Sequence, residues 1–204
     1  YATGVNIPTV SNNISNVAKT DSSLTEDTNL SASGKMDAEA VATAALPAMV
    51  QLNGTTTVKS SSYFGYGQSY EATSSGTGII VGKSDTELLI VTNAHVVDNI
   101  DNLKCVFSDG TSASCSVKGS KSDQDIAVAA VSLSDISSDT ASNIAIAELE
   151  DSSDIKVGQQ VVAIGNALGE GQSVTTGIIS AKDRSITVNN VTFTGLLMTD
   201  AAIN

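Results

Sequence analysis

The chain has 204 residues with ten Lys and Arg against 22 Asp and Glu, a formal charge of −12, which disfavours nucleic acid or an anionic bilayer as partner because each would repel such a surface. That length allows one large all-β domain or two small ones with a substantial core. Aromatics are 3% of residues and Trp is absent, so Val, Ile, Leu and Ala must build the core, and the β-branched members favour strands. No apolar run approaches the ~20 residues that a membrane-spanning helix needs. The first residue is Tyr1 rather than Met, so a signal peptide or anchor is expected upstream of it.

Residues 1–35 form a Ser/Thr/Asn-rich tail or linker with too little apolar surface to offset its own ordering entropy. The alternative is an arm that docks through Val5, Ile7, Val10 and Ile14. Asp37 and Glu39 ahead of Ala-rich sequence, with Pro47 behind it, predict one short helix over Asp37–Ala45. A strand over Ala48–Leu52 follows. Thr55–Ser75 is polar and carries Tyr63-Phe64-Gly65-Tyr66-Gly67, which reads as a long loop.

From Gly76 onward, short apolar stretches alternate with turn residues: Gly78–Val81, Glu87–Thr92, Leu103–Phe107, Ala113–Val117, Ile126–Val131, Val161–Ile164, Val174–Ile179 and Val191–Leu197. This spacing predicts antiparallel β barrels. Asp109-Gly110 is a strong hairpin signal, and a hairpin centred there brings Cys105 and Cys115 to facing positions. The polar stretch Ser132–Asn143 is expected to join a first barrel to a second.

His95 is the only histidine, within Thr92-Asn93-Ala94-His95-Val96-Val97. A lone histidine is more often structural than catalytic. Two Cys ten residues apart and one His match no common zinc pattern, so nucleophilic catalysis is the remaining serious role. A general base needs an acceptor behind it to fix its tautomer and stabilise the imidazolium. Asp125, at the opening of an apolar strand, is the natural candidate, whereas Asp123 lies in a polar turn. Capping the turn Ser122-Asp123-Gln124 remains an open role for Asp125. The glycines from Gly165 to Gly171 lack the Gly-Lys-Ser/Thr of a phosphate loop and read as a β turn, and Asp200 reads as a loop brace.

Taken in order, Ser75-Gly76-Thr77-Gly78-Ile79-Ile80-Val81, Ile90 to Val97, Asp125-Ile126-Ala127-Val128, Val157-Gly158, Ala163-Ile164-Gly165-Asn166, Ser173 to Ser180, and Thr199-Asp200-Ala201-Ala202-Ile203-Asn204 resemble the HtrA (DegP-like) trypsin-fold proteases over about Ala48 to Asn204. The resemblance implies a trypsin-like double β-barrel. Residues 36–204 would be the protease domain, with a first barrel at about 48–131 and a partial second barrel at about 144–204. It implies that His95 is the general base and Asp125 its orienting carboxylate. The family's Gly-Asn-Ser-Gly-Gly nucleophile motif, with its oxyanion donors, is expected just beyond Asn204, so the 204-residue chain itself would be inactive.

By the same resemblance the function is that of an ATP-independent serine endopeptidase acting on unfolded or exposed polypeptide outside the cytoplasm, with no metal or organic cofactor. Trimeric assembly and a following PDZ domain are family expectations. An exported protein meets an oxidising compartment, which predicts a Cys105–Cys115 disulfide. The alternative function is a polypeptide-binding or chaperone-like module on a scaffold without its catalytic half. A surface adhesion domain would rest only on the Ser/Thr-rich tail.

Overall fold

A computed structural model describes residues 36–60, 68–166, 172–188 and 191–203. The 1–35 segment, the cluster Tyr63 to Gly67 and the glycines at 169 and 171 lie outside the described residues. The chain opens with helix α1, Ala38–Ala45, whose N-cap Asp37 accepts a hydrogen bond from the Ala40 N–H. Pro47 sits in the 3-10 turn Leu46–Ala48 that ends the helix. Removing a backbone donor and fixing φ is what makes proline a helix stop.

Six strands then close a barrel: β1 Met49–Ser60, β2 Gln68–Lys83, β3 Glu87–Thr92, β4 Asn102–Val106, β5 Ser112–Lys121 and β6 Ile126–Ser132, in the order β1-β2-β3-β6-β5-β4. All pairings are antiparallel. Period-two alternation points one face of each strand inward. Val50, Leu52, Ile80, Leu88, Ile90, Leu103, Cys105, Ala127, Ala129 and Val131 meet there as one core, closed by Phe107 and Val96. Ala129 on β6 lies opposite Ile90 of β3, so that a small and a large side chain share the narrow interior.

The polar stretch predicted as a loop over Thr55–Ser75 is instead mostly strand. Thr55 to Ser60 continue β1 and pair with Gln68 to Thr73 of β2, so a long hairpin stands out from the barrel. The composition misleads because this hairpin has no core to face. Its β-branched Thr55, Thr56, Thr57 and Val58 suit strands, but they lack the apolar alternation that marks a half-buried one.

The hairpin between β4 and β5 also differs from expectation. Its loop has three residues, closed by Phe107 N–H to Thr111 O at 2.9 Å and Gly110 N–H to Phe107 O at 2.9 Å, with Gly110 at φ +82°. Gly110 is therefore the left-handed residue that ends a three-residue loop, not one of two central residues. The pairing centre moves to Asp109, so Cys105 faces Ala113 and Cys115 faces Leu103. The two cysteines are free thiols, offset diagonally across the hairpin. Donation of the Cys105 S–H to the Cys115 sulfur and then burial hold the Cys105 thiol far above its usual range, as expected for an inert core thiol.

Ser132–Asn143 carries two short capped elements. Ser132 caps a 3-10 turn, Leu133–Asp135, and Ser137 caps helix α3, Ser138–Asn143, by accepting from Thr140 N–H. Beyond it the chain runs along the first barrel, with Ala145 N–H bonded to Pro47 O and Ala147 N–H to Ile80 O. A three-stranded antiparallel sheet follows, made of β7 Gln160–Gly165, β8 Ser173–Val188 and β9 Val191–Thr199. Lys182 of β8 ties the approach to it, donating from Nζ to Ser153 O at 2.8 Å and Ile155 O at 2.6 Å. The architecture is that of a trypsin-like fold: mostly β, with a closed barrel, a second sheet and a short N-terminal helix.

Candidate active site

β3 delivers Asn93 and His95 to the rim of the barrel. At its end Thr92 Oγ1 donates to Thr77 O at 2.8 Å, and the chain turns into the single helical turn α2, Ala94–Val97. Val96 and Val97 point into the core, and Ser74 Oγ holds the turn by donating to Val96 O at 3.1 Å. With its neighbours buried on both sides, His95 faces outward, its side chain 72% exposed.

Asp125 comes from the other side of the same rim, between β5 and β6. The turn before it closes through Gln124 N–H to Lys121 O and Asp125 N–H to Ser122 O. Asp125 itself has φ +52°, a left-handed conformation that non-glycine residues seldom adopt. This conformation turns the carboxylate away from its own turn and toward α2. The Asp125 carboxylate accepts from the His95 backbone N–H at 3.0 Å, and His95 Nδ1 lies 3.0 and 2.9 Å from its two oxygens. Turn capping is therefore not the carboxylate's role. Asp123 pairs with Lys121 at 3.7 Å instead.

An ionised carboxylate can only accept hydrogen bonds, so neutral His95 must carry its proton on Nδ1 and leave Nε2 as the basic nitrogen. Burial alone would raise the Asp125 carboxyl. The backbone N–H and imidazole of His95, with the Ala94 N–H, outweigh it and hold the group below the ordinary carboxylate range. Because the folded value is depressed, this contact's contribution to stability is present above the ordinary carboxylate pKa and is lost as pH falls through the lowered one.

His95 borders a cleft of about 380 Å³ whose opposite wall is the second sheet, with Ser75 and Thr77 on one side and Asn166, Thr175 and Ile203 on the other. Asn166 crosses the gap, its N–H donating to Thr77 Oγ1 at 2.8 Å. The segment after β9 is folded back onto β8. Asp200 Oδ1 accepts from Ile178 N–H at 2.7 Å, and Thr175 Oγ1 donates to Ala202 O at 2.7 Å. Asp200 thus braces a loop, as its position in the sequence predicts. Gly177 makes this fold-back feasible, because a Cβ there would lie 2.4 Å from Ala201 N and 2.5 Å from Asp200 Oδ1. Ala202 and Ile203, next to this brace, line the same cleft as His95.

The helical turn α2 is not legible in the sequence, because four residues are too few to show a helical period, and Asn93 carries no catalytic signature of its own. The signal for Asn93 was its place two residues before His95, at the junction of β3 and α2.

A family model described as a trypsin-like peptidase domain matches residues 76–204. Among curated proteins, the serine protease Do-like HtrA of Bacillus subtilis (strain 168) is 34% identical over 167 residues, covering 78% of this chain and 36% of its own length. The periplasmic serine endoprotease DegP of Escherichia coli (strain K12) is 36% identical over 140 residues, covering 69% of this chain and 27% of its own. A solved structure of a variant of the HtrA-type protease AlgW with a decapeptide superposes with a TM-score of 0.68 at 29% identity, over 83% of this chain and 52% of that one. The chain spans about a quarter to a third of the length of the curated relatives it matches. On a fold with one closed barrel, a second sheet and a histidine–aspartate pair at the cleft between them, these matches agree: the chain belongs to the trypsin-like peptidase family and is HtrA/DegP-like within it.

Proposed function

We propose that the protein of which this chain is part is a serine endopeptidase of the HtrA type, acting without ATP on unfolded or exposed polypeptide outside the cytoplasm. The observation that carries the reading is the pairing of His95 Nδ1 with both oxygens of Asp125 at 2.9–3.0 Å, on an imidazole exposed to a cleft. His95 Nε2 takes the proton of a serine hydroxyl and later returns it to the leaving amine, while Asp125 holds the tautomer and steadies the imidazolium. The serine and the oxyanion donors are assigned to the sequence following Asn204, toward which the braced segment 199–203 leads. Relatives described as periplasmic support the location.

Polypeptide as substrate rests on the family, and assembly into trimers is part of the same reading. Ile178, Ile186, Leu197 and Met198 of β8 and β9 are well exposed in the chain by itself. They are the apolar surface that further strands or a neighbouring subunit would cover.

The test is degradation by the full-length protein of a reduced, unfolded substrate and of the same protein in its native form, without ATP. Cleavage of the unfolded form, abolished in His95→Ala, is expected. Binding of the unfolded form with no cleavage by the wild-type protein would favour the chaperone-like alternative and overturn the peptidase reading.

A further inference from the structure

We propose that Asn93 is a positioning residue for the histidine–aspartate pair: its side-chain amide clamps Asp125 in the left-handed conformation that presents the carboxylate to His95. The inference rests on the catalytic reading of that pair given above. Asn93 Nδ2 donates to two atoms of the same residue, the Asp125 backbone carbonyl at 3.1 Å and carboxylate Oδ2 at 3.1 Å. Two bonds from one amide group to the main chain and side chain of one residue fix its backbone and χ1 relative to each other. That is the constraint a left-handed aspartate needs, because unrestrained backbone would relax to negative φ.

A second observation shows that the amide is committed to this task. Asn93 occupies the N-cap position of α2, where an asparagine side chain ordinarily accepts a backbone N–H of the first turn. Here it makes no capping bond. The side chain reaches instead across 32 positions of sequence to Asp125.

The division of labour among the donors follows. Oδ1 is held by the His95 backbone N–H, and Oδ2 by Asn93, while the imidazole meets both oxygens. The other charged groups of the same turn, Lys121 and Asp123, pair with each other. Without Asn93 the Asp125 carbonyl and Oδ2 each lose a donor, and the His95 N–H and imidazole alone hold the carboxylate, so rotation about χ1 and relaxation of φ are both eased. The consequence falls on His95. A carboxylate that swings away no longer selects the Nδ1–H form, and the Nε2 lone pair needed for proton abstraction is lost in the Nε2–H form.

His95 is the only histidine of this sequence, so ¹⁵N-histidine labelling of the chain gives one imidazole whose two nitrogen shifts report the tautomer ratio directly. The measurement is made at a pH where imidazole is neutral and carboxylate ionised, about 8. Wild type is expected to be predominantly Nδ1–H. Asn93→Ala and Asn93→Asp are each expected to lower the Nδ1–H to Nε2–H ratio about tenfold, the scale of losing a hydrogen bond to a charged group. Asn93→Asp keeps the side chain's shape and can cap α2 while lacking the donors, so the question stays answerable if the alanine variant fails to fold. Asp125→Asn, run alongside, removes the acceptor itself. A ratio within about twofold of wild type in the folded Asn93 variants, with collapse in Asp125→Asn, overturns the role of Asn93 and leaves the pair intact. An unchanged ratio in Asp125→Asn as well would overturn the catalytic reading and this proposal together.

Discussion

Asp125→Asn in the full-length protein is expected to lower kcat for peptide hydrolysis by about ten-thousandfold while leaving the fold in place. The replacement is nearly isosteric, so the turn closed by Lys121 and Ser122 keeps its backbone bonds. What changes is the group that meets His95 Nδ1 at 2.9 Å. An asparagine can offer its NH₂ there, which favours the tautomer with the proton on Nε2 and removes the base from the cleft. Its uncharged amide also cannot steady the imidazolium that forms as the serine is deprotonated. The steady-state assay should show the loss in kcat far more than in KM, since neither group holds the substrate. A loss below about tenfold would remove Asp125 from the mechanism.

The second large effect concerns stability. Ile90 is fully buried on β3, between its partners Ile80 and Ala129 on the neighbouring strands. Ile90→Ala is expected to cost about 2–5 kcal/mol, because the lost transfer energy is joined by a cavity that a closed barrel cannot easily collapse. The small residues around it, Ala127 and Ala129 on β6, have no flexible atoms to move into the space. Urea denaturation should give a lower midpoint at unchanged slope. A loss under about 1 kcal/mol would mean that the barrel repacks as a loose core.

Much of the first barrel was legible because its strands have one wet and one dry face. Leu103 and Cys105 alternate with Asn102 and Lys104 on β4, so period two appears in the sequence there, whereas β3 shows itself as the short apolar run Leu88 to Val91 with its other face half-buried. The extensions of β1 and β2 past Thr55 and before Ser75 were illegible for the opposite reason. With one face exposed at Thr57, Glu71 and Thr73 and the other only half-buried at Thr56, Val58 and Ala72, polar residues satisfy them as well as apolar ones, and the pattern vanishes. Strand β8 shows the same limit: its second half, Asp183 to Val188, is exposed throughout and pairs irregularly with β9.

Register was legible only to within the choice of loop. Asp109-Gly110 announces a hairpin, but whether Gly110 sits inside a two-residue turn or ends a three-residue one depends on backbone geometry that composition does not encode. That choice moved the partner of Cys105 by two residues, from Cys115 to Ala113. The site was legible in its ends and not in its clamp. His95 and Asp125 stand out by chemistry, whereas Asn93 acquires meaning only when the barrel closes and brings a residue 32 positions away to its amide.

The most direct test of the central claim, that this chain carries the base and the orienting carboxylate of a serine-peptidase site, is fluorophosphonate labelling of the full-length protein followed by mapping of the modified residue. The expected result is stoichiometric labelling of one serine in the sequence following Asn204, lost in His95→Ala and absent from the 204-residue chain alone. Labelling of a serine within residues 1–204, or labelling that survives His95→Ala, would contradict it.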